Sequence, residues 1–307
     1  MAQSLMMRTP SCSPHALVAL IWALLQSLPT AAEANSSRLD VDSPSANAVA
    51  MLGGCSATLI APDKALAAAH CFSIRTRGMD AEKTLCPKLS MQANMSKTPK
   101  LDPYTWHKTQ FQPKLRFGAD GRDGDLPSFQ ISHFTMPLCG DMVLLRLSEP
   151  VPADIAIPIP VVTGAGTENG LEIALIRGPL RHAGFGRANG EASGKAQRSG
   201  GRVSYWGQNN CHLYALPPNR ANGRRINSGD SGAPLILRLS DGRDVIMGVM
   251  WGRGNPDGEA CGLPSSIPPE NHGSYTATFR GKVQGTQATD IGDWLSRMVP
   301  EAAITLP

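Results

Sequence analysis

Three short stretches of this 307-residue chain carry side chains whose chemistry is complementary. His70 sits in Ala67-Ala68-Ala69-His70-Cys71, Asp141 heads the apolar run Met142-Val143-Leu144-Leu145-Arg146-Leu147, and Ser231 lies inside Gly229-Asp230-Ser231-Gly232-Ala233-Pro234. An imidazole, a carboxylate and an alcohol are the parts of nucleophilic acyl transfer. A serine hydroxyl at its ordinary acidity attacks a carbonyl poorly, so an imidazole has to take its proton during attack and return it to the leaving group. A carboxylate on the far side of the ring fixes the tautomer and stabilises the imidazolium. Each stretch alone has a plainer reading: Gly-Asp-Ser-Gly as a turn, His70 as a core histidine, Asp141 as an acid at a strand edge. The other histidines, His107, His133, His182, His212 and His272, stand in no such context and read as structural or solvated.

The elements that must hold these groups read as short strands. The 31 glycines and 25 prolines, with few long amphipathic patterns, favour strands joined by turns and an all-β fold. Residues 56–60 and 65–69 are apolar runs around Ala61-Pro62-Asp63, two strands and a turn, and such a hairpin brings Cys55 to Cys71. Residues 142–147 form a strand ended by Glu149-Pro150-Val151-Pro152, and residues 171–176 and 182–186 a further strand pair. Residues 234–239 and 245–251 are joined by Ser240-Asp241-Gly242, and residues 275–279 add one more strand. Residues 73–132 are polar and turn-rich, which predicts long loops between a few edge strands; residues 186–202 read as a glycine-rich, basic surface loop. Apolar residues at 291, 294, 295, 298 and 299 predict a short amphipathic helix at the end.

Residues 1–34 read as an export signal: Arg8, then an apolar run over residues 16–25, then small residues ahead of a cleavage expected near Ala34. A bilayer span needs about 20 apolar residues, roughly twice that run, so no stable membrane insertion is expected and the mature chain is secreted or periplasmic. Residues 35–50 are small and polar and read as a mobile leader or short propeptide, leaving residues 51–300 for the folded domain. The formal charge of +4 is too mild and dispersed to argue for nucleic acid or an acidic membrane as the main partner, and no nucleic acid is expected. Of seven cysteines, Cys12 leaves with the signal, and the even set Cys55, Cys71, Cys86, Cys139, Cys211 and Cys261 suits disulfides in an exported chain. No Cys-x-x-Cys pair supports zinc, and Asp120, Asp123 and Asp125 miss the spacing of a calcium loop, so no metal and no cofactor is expected.

The blocks around His70, Asp141 and Ser231, in that chain order, resemble the trypsin/chymotrypsin-like serine peptidases, from about Gly53 to Val299. The resemblance implies a chymotrypsin-like double six-stranded antiparallel β-barrel with a short C-terminal helix, the two barrels meeting near residues 150–170. It implies a secreted serine endopeptidase working on polypeptides through an acyl-enzyme, with Ser231 as nucleophile, His70 as general base and Asp141 as its orienter. The backbone amides of Gly229 and Ser231 then form the oxyanion hole, and Cys55 pairs with Cys71. Met250-Trp251-Gly252 resembles the strand that binds an extended substrate, and Gly252 and Gly273 resemble the residues that keep the specificity pocket open. Arg225 falls at the pocket floor, which implies an acidic residue before the cut unless Arg225 points into water. A monomer is the default, and the competing function is a catalytically inactive relative serving as a binding or regulatory module. An esterase-like hydrolase would place its acid and histidine after the serine, unlike this chain.

The chain also departs from that pattern. Asn227 stands where relatives carry a cysteine, Cys211 with Cys261 is the favoured pairing among the remaining cysteines, and Met250 replaces a small polar residue that helps support the orienting acid. Relatives pair a freed ammonium with the aspartate before the serine, here Asp230. Cleavage after Arg38 supplies one at Leu39, or the chain needs none; the sequence leaves both routes open.

Overall fold

The computed structural model describes residues 44–73, 102–109, 113–120, 124–137, 141–186, 198–216, 226–253, 272–279 and 290–306. The first hairpin follows from its sequence. β2 (Cys55–Ala61) and β3 (Lys64–Ala67) are apolar, β-prone runs broken by Pro62-Asp63, and they pair antiparallel with Ala57 opposite Ala67. β1 (Val49–Leu52) pairs with the other edge of β2, and β5 (Lys114–Phe117) with β1. β6 (Ser128–Thr135) pairs with β5, and β7 (Val143–Leu147) closes the ring by pairing with both β6 and β3. The two-residue β4 (His107–Lys108) lies outside this ring against β6. Six antiparallel strands thus form a closed barrel without a free edge.

A second barrel follows. β9 (Leu180–Gly184), β13 (Pro234–Arg238), β14 (Asp244–Gly252), β15 (Gly273–Ala277) and β12 (His212–Leu216) pair antiparallel in that order. β10 (Ser199–Arg202) pairs with β9 and β11 (Ser204–Gln208) with β12. Val203, between them, donates its backbone N–H to Leu180 at 3.0 Å, so β10 and β11 act as one bent strand that closes the ring. Two closed six-stranded antiparallel barrels are the architecture the resemblance implies. Parallel strands β8 (Val161–Ala165) and β16 (Ala303–Leu306) brace β14 from outside.

Four expectations need correction. Residues 44–50 are not a leader: the turn α1 (Pro44–Asn47) and β1 belong to the fold, and Ala46, Ala48, Val49 and Ala50 are fully buried. Small residues there are core, because the strand is enclosed between β2 and β5. Residues 171–176 are not a strand but part of helix α3 (Glu168–Arg177), whose Leu171 and Leu175, one turn apart, are buried while Ile173 and Ile176 face solvent. Thr167 caps it by accepting from the Gly170 N–H at 3.0 Å. β5 and β6 are full barrel members rather than edge strands, with Leu115, Phe117, Phe129 and Ile131 turned into the core at alternating positions. Part of the expected basic surface loop is the strand β10.

The closing helix α4 (Ile291–Met298) forms as expected, capped by Asp290, whose carboxylate accepts from the Asp293 N–H at 3.0 Å. Its buried Trp294 packs with the first barrel's core and donates from Nε1 to the Pro103 carbonyl at 2.6 Å. No helix among the described residues is long and apolar enough to cross a membrane. The proposed signal peptide, Arg225, Cys86, Cys139 and Cys261 lie outside the described residues.

Candidate active site

Strand register brings two of the predicted groups together. Antiparallel β3 and β7 align Ala67 with Val143, so the residues just after β3 and just before β7 emerge at one end of the first barrel. Those residues are His70, in the single turn α2 (Ala69–Ser73), and Asp141. His70 Nδ1 lies 2.5 Å from Asp141 Oδ2, and the His70 backbone N–H donates to Asp141 Oδ1 at 2.8 Å. The carboxylate is buried while the ring keeps one side accessible, at 33% exposure. Partial burial, the largest single influence, works against the charged ring. The hydrogen bond and charge of Asp141 together outweigh it, so the His70 pKa lies above the ordinary 6.5. The Cys55–Cys71 disulfide forms, with Cα atoms 6.1 Å apart, and ties the His70 turn to the start of β2. Cys55, His70 and Cys71 gather their donor atoms within 4.8 Å, but the two sulfurs are bonded to each other and are not metal ligands.

Ser231 comes from the second barrel and is laced to the first. The Ser56 N–H donates to the Ser231 carbonyl at 2.8 Å, and Cys71 Sγ lies 3.8 Å from the same oxygen. Ser56 Oγ, fully buried, donates to the Gly229 carbonyl at 2.9 Å and accepts from the Phe185 N–H at 2.9 Å. Gly232 has φ 86°, and a Cβ there would lie 2.0 Å from the Ser56 carbonyl oxygen, so only glycine lets the loop pass between the barrels. Ser231 Oγ donates to the Trp251 carbonyl at 3.4 Å. Around it the amides divide sharply. Those of Asp230, Gly232 and Ala233 donate to Asn227, Met250 and Asp230, whereas those of Gly229 and Ser231 donate to no acceptor among the described residues. His70 and Ser231 therefore both border Cys71, at the seam between the barrels.

The predicted substrate-binding residues divide. Gly252 has nothing among the described residues within 4 Å of where a Cβ would stand. At Gly273 a Cβ would lie 2.3 Å from Ile226 Cδ1 and 2.9 Å from Met250 Cε, so these apolar side chains stand directly beside the glycine. Met250 is fully buried, and its N–H and carbonyl already bond Ala233 and Gly232 at 2.7 and 2.8 Å. Trp251 is partly exposed beside them. Ser56 and Ile226 were invisible in the sequence as site residues, since no local pattern marks a serine as a bridge or an isoleucine as a neighbour of Gly273. Cys211 is disulfide-bonded.

No protein-family model and no curated protein matches the chain. Among solved structures it is similar to neuropsin, a serine protease expressed in the limbic system of mouse brain, at 16% identity and a TM-score of 0.46, over 76% of this chain and 90% of that one. The fold assignment itself rests on the strand pairings of the two barrels.

Proposed function

We propose that the chain is an exported serine endopeptidase that cleaves polypeptides through an acyl-enzyme. The observation that carries this reading is the His70–Asp141 pair at 2.5 Å, opposite a serine loop whose Gly229 and Ser231 amides are unengaged among the described residues. In this mechanism the neutral His70 ring takes the Ser231 proton as Oγ attacks the scissile carbonyl. Asp141 holds the Nδ1 proton and stabilises the imidazolium that results. The carbonyl oxygen, now negative, is received by the Gly229 and Ser231 N–H groups, and each such donor is worth about 2.7–4 kcal/mol to the transition state. The imidazolium then protonates the departing amine, and water, activated by the same ring, hydrolyses the ester.

Export through residues 1–34 accords with the formed Cys55–Cys71 disulfide, a bond that persists in oxidising compartments. Labelling by a fluorophosphonate probe tests the reading. The wild-type protein is expected to label and Ser231→Ala not to; equal labelling of both, or none of either under peptide-cleaving conditions, refutes it.

A further inference from the structure

Asp230 is a buried carboxylate that this mechanism does not use. It is 5% exposed and directly precedes Ser231. Its Oδ1 accepts from the Gly186 N–H at 2.8 Å and its Oδ2 from the Asn227 N–H at 2.9 Å. The backbone approaches so closely that a Cβ on Gly186 would lie 2.1 Å from Oδ2. The third neighbour is His182, 7% exposed, with Nε2 3.3 Å from Oδ1. The Nε2–H direction falls outside hydrogen-bond geometry, so the contact is electrostatic rather than a directed bond. On the other side of the ring, Nδ1 lies 3.0 Å from Tyr275 Oη. Burial first, and the Asp230 charge second, hold the Tyr275 pKa well above the ordinary 10.0, so the phenol stays a neutral donor. A phenol donating to Nδ1 leaves the ring proton on Nε2, the nitrogen that faces Asp230. Among the described residues no lysine, arginine or chain terminus pairs with this carboxylate.

A buried ion without compensation costs several kcal/mol. The loop conformation that buries Asp230, and with it aims the Gly229 and Ser231 amides, therefore persists only where partners are already in place. We propose that Tyr275 and His182 are positioning residues that anchor Asp230, and through it residues 227–231, so that the site is competent without a newly cut amino terminus. This rests on the peptidase reading above and concerns the regulation of the same site. The route through an ammonium at Leu39 is then unnecessary.

The test uses the full chain carrying an amino-terminal tag, verified intact by mass spectrometry, with His182→Ala and His182→Gln in the same form. Two quantities are read: the rate of fluorophosphonate labelling with kcat and KM on a peptide, and hydrogen exchange at the Gly186 and Asn227 amides. The tagged wild-type chain is expected to label as fast as chain released from its tag. His182→Ala should label about 10- to 100-fold more slowly, short of the roughly 10²–10³-fold loss of a whole oxyanion donor, with the loss in kcat rather than KM. Its Gly186 and Asn227 amides should exchange faster. His182→Gln, whose amide can donate to Asp230, should recover most of the rate. Labelling that appears only after tag release overturns the proposal, as do unchanged exchange in His182→Ala or equal losses in both variants. A wild-type chain that never labels, with exchange still faster in His182→Ala, defeats the peptidase reading and the claim of competence while leaving the anchoring intact. Should His182→Ala fail to fold, Tyr275→Phe, which removes only the phenol oxygen, gives the same comparison.

Discussion

At His70 stability and the proposed catalysis draw on one proton in opposite senses. Because Asp141 lifts the folded-state pKa above 6.5, protonated His70 contributes stability that is complete below that value and is lost as pH rises through the folded pKa. The proposed general base must be neutral, so kcat/KM climbs across that same window. Asp141→Asn removes the charge that causes the lift. The acid limb of the pH–rate profile should move to lower pH and the plateau should fall by roughly 10⁴-fold; an unmoved limb would show that Asp141 does not govern His70. The residues of this pair, and Ser231, were legible because each stands in a distinctive local run. Ser56 and His182 were not. Ser56 acts on Gly229, 173 positions away, and such a bond exists only once two barrels have closed and met. His182 read as an ordinary histidine for the same reason: nothing near it in the chain is its partner.

The elements around the site depend on a few short constraints. The disulfide closes a 16-residue separation across the β2–β3 hairpin and its exit turn, and replacing Cys55 and Cys71 by serine should cost about 2–4 kcal/mol. Urea unfolding measures this, and a midpoint unchanged from wild type would show the hairpin to be self-sufficient. That hairpin, the β13–β14 pair and helix α4 were readable, since each has an uninterrupted apolar pattern between clear turn residues. Helix α3 was not read as one, because three residues of Leu171, Ile173 and Ile176 look like strand text; only the four-residue spacing of Leu171 and Leu175 tells which face is buried. β5 and β6 hid inside polar sequence because half of each strand faces outward, which dilutes the alternation that Leu115, Phe117, Phe129 and Ile131 carry.

For the whole molecule the first and last described segments are exchanged between the barrels. Ala46, Val49 and Met51, near the start, pack against Ala183 and Phe185 of the second barrel, and Ser45 bonds the Asp244 carboxylate there. At the other end Ile291, Trp294, Leu295 and Val299 join the core of the first barrel. Calorimetry should therefore show one transition for both barrels, and two resolved peaks would contradict the reciprocal packing. The exchange also bears on how the two barrels can move. With residues 45–51 packed on the second barrel and residues 291–299 on the first, the two halves are held from both sides, as in a clamped vise. Swinging one barrel away from the other would have to break both straps at once.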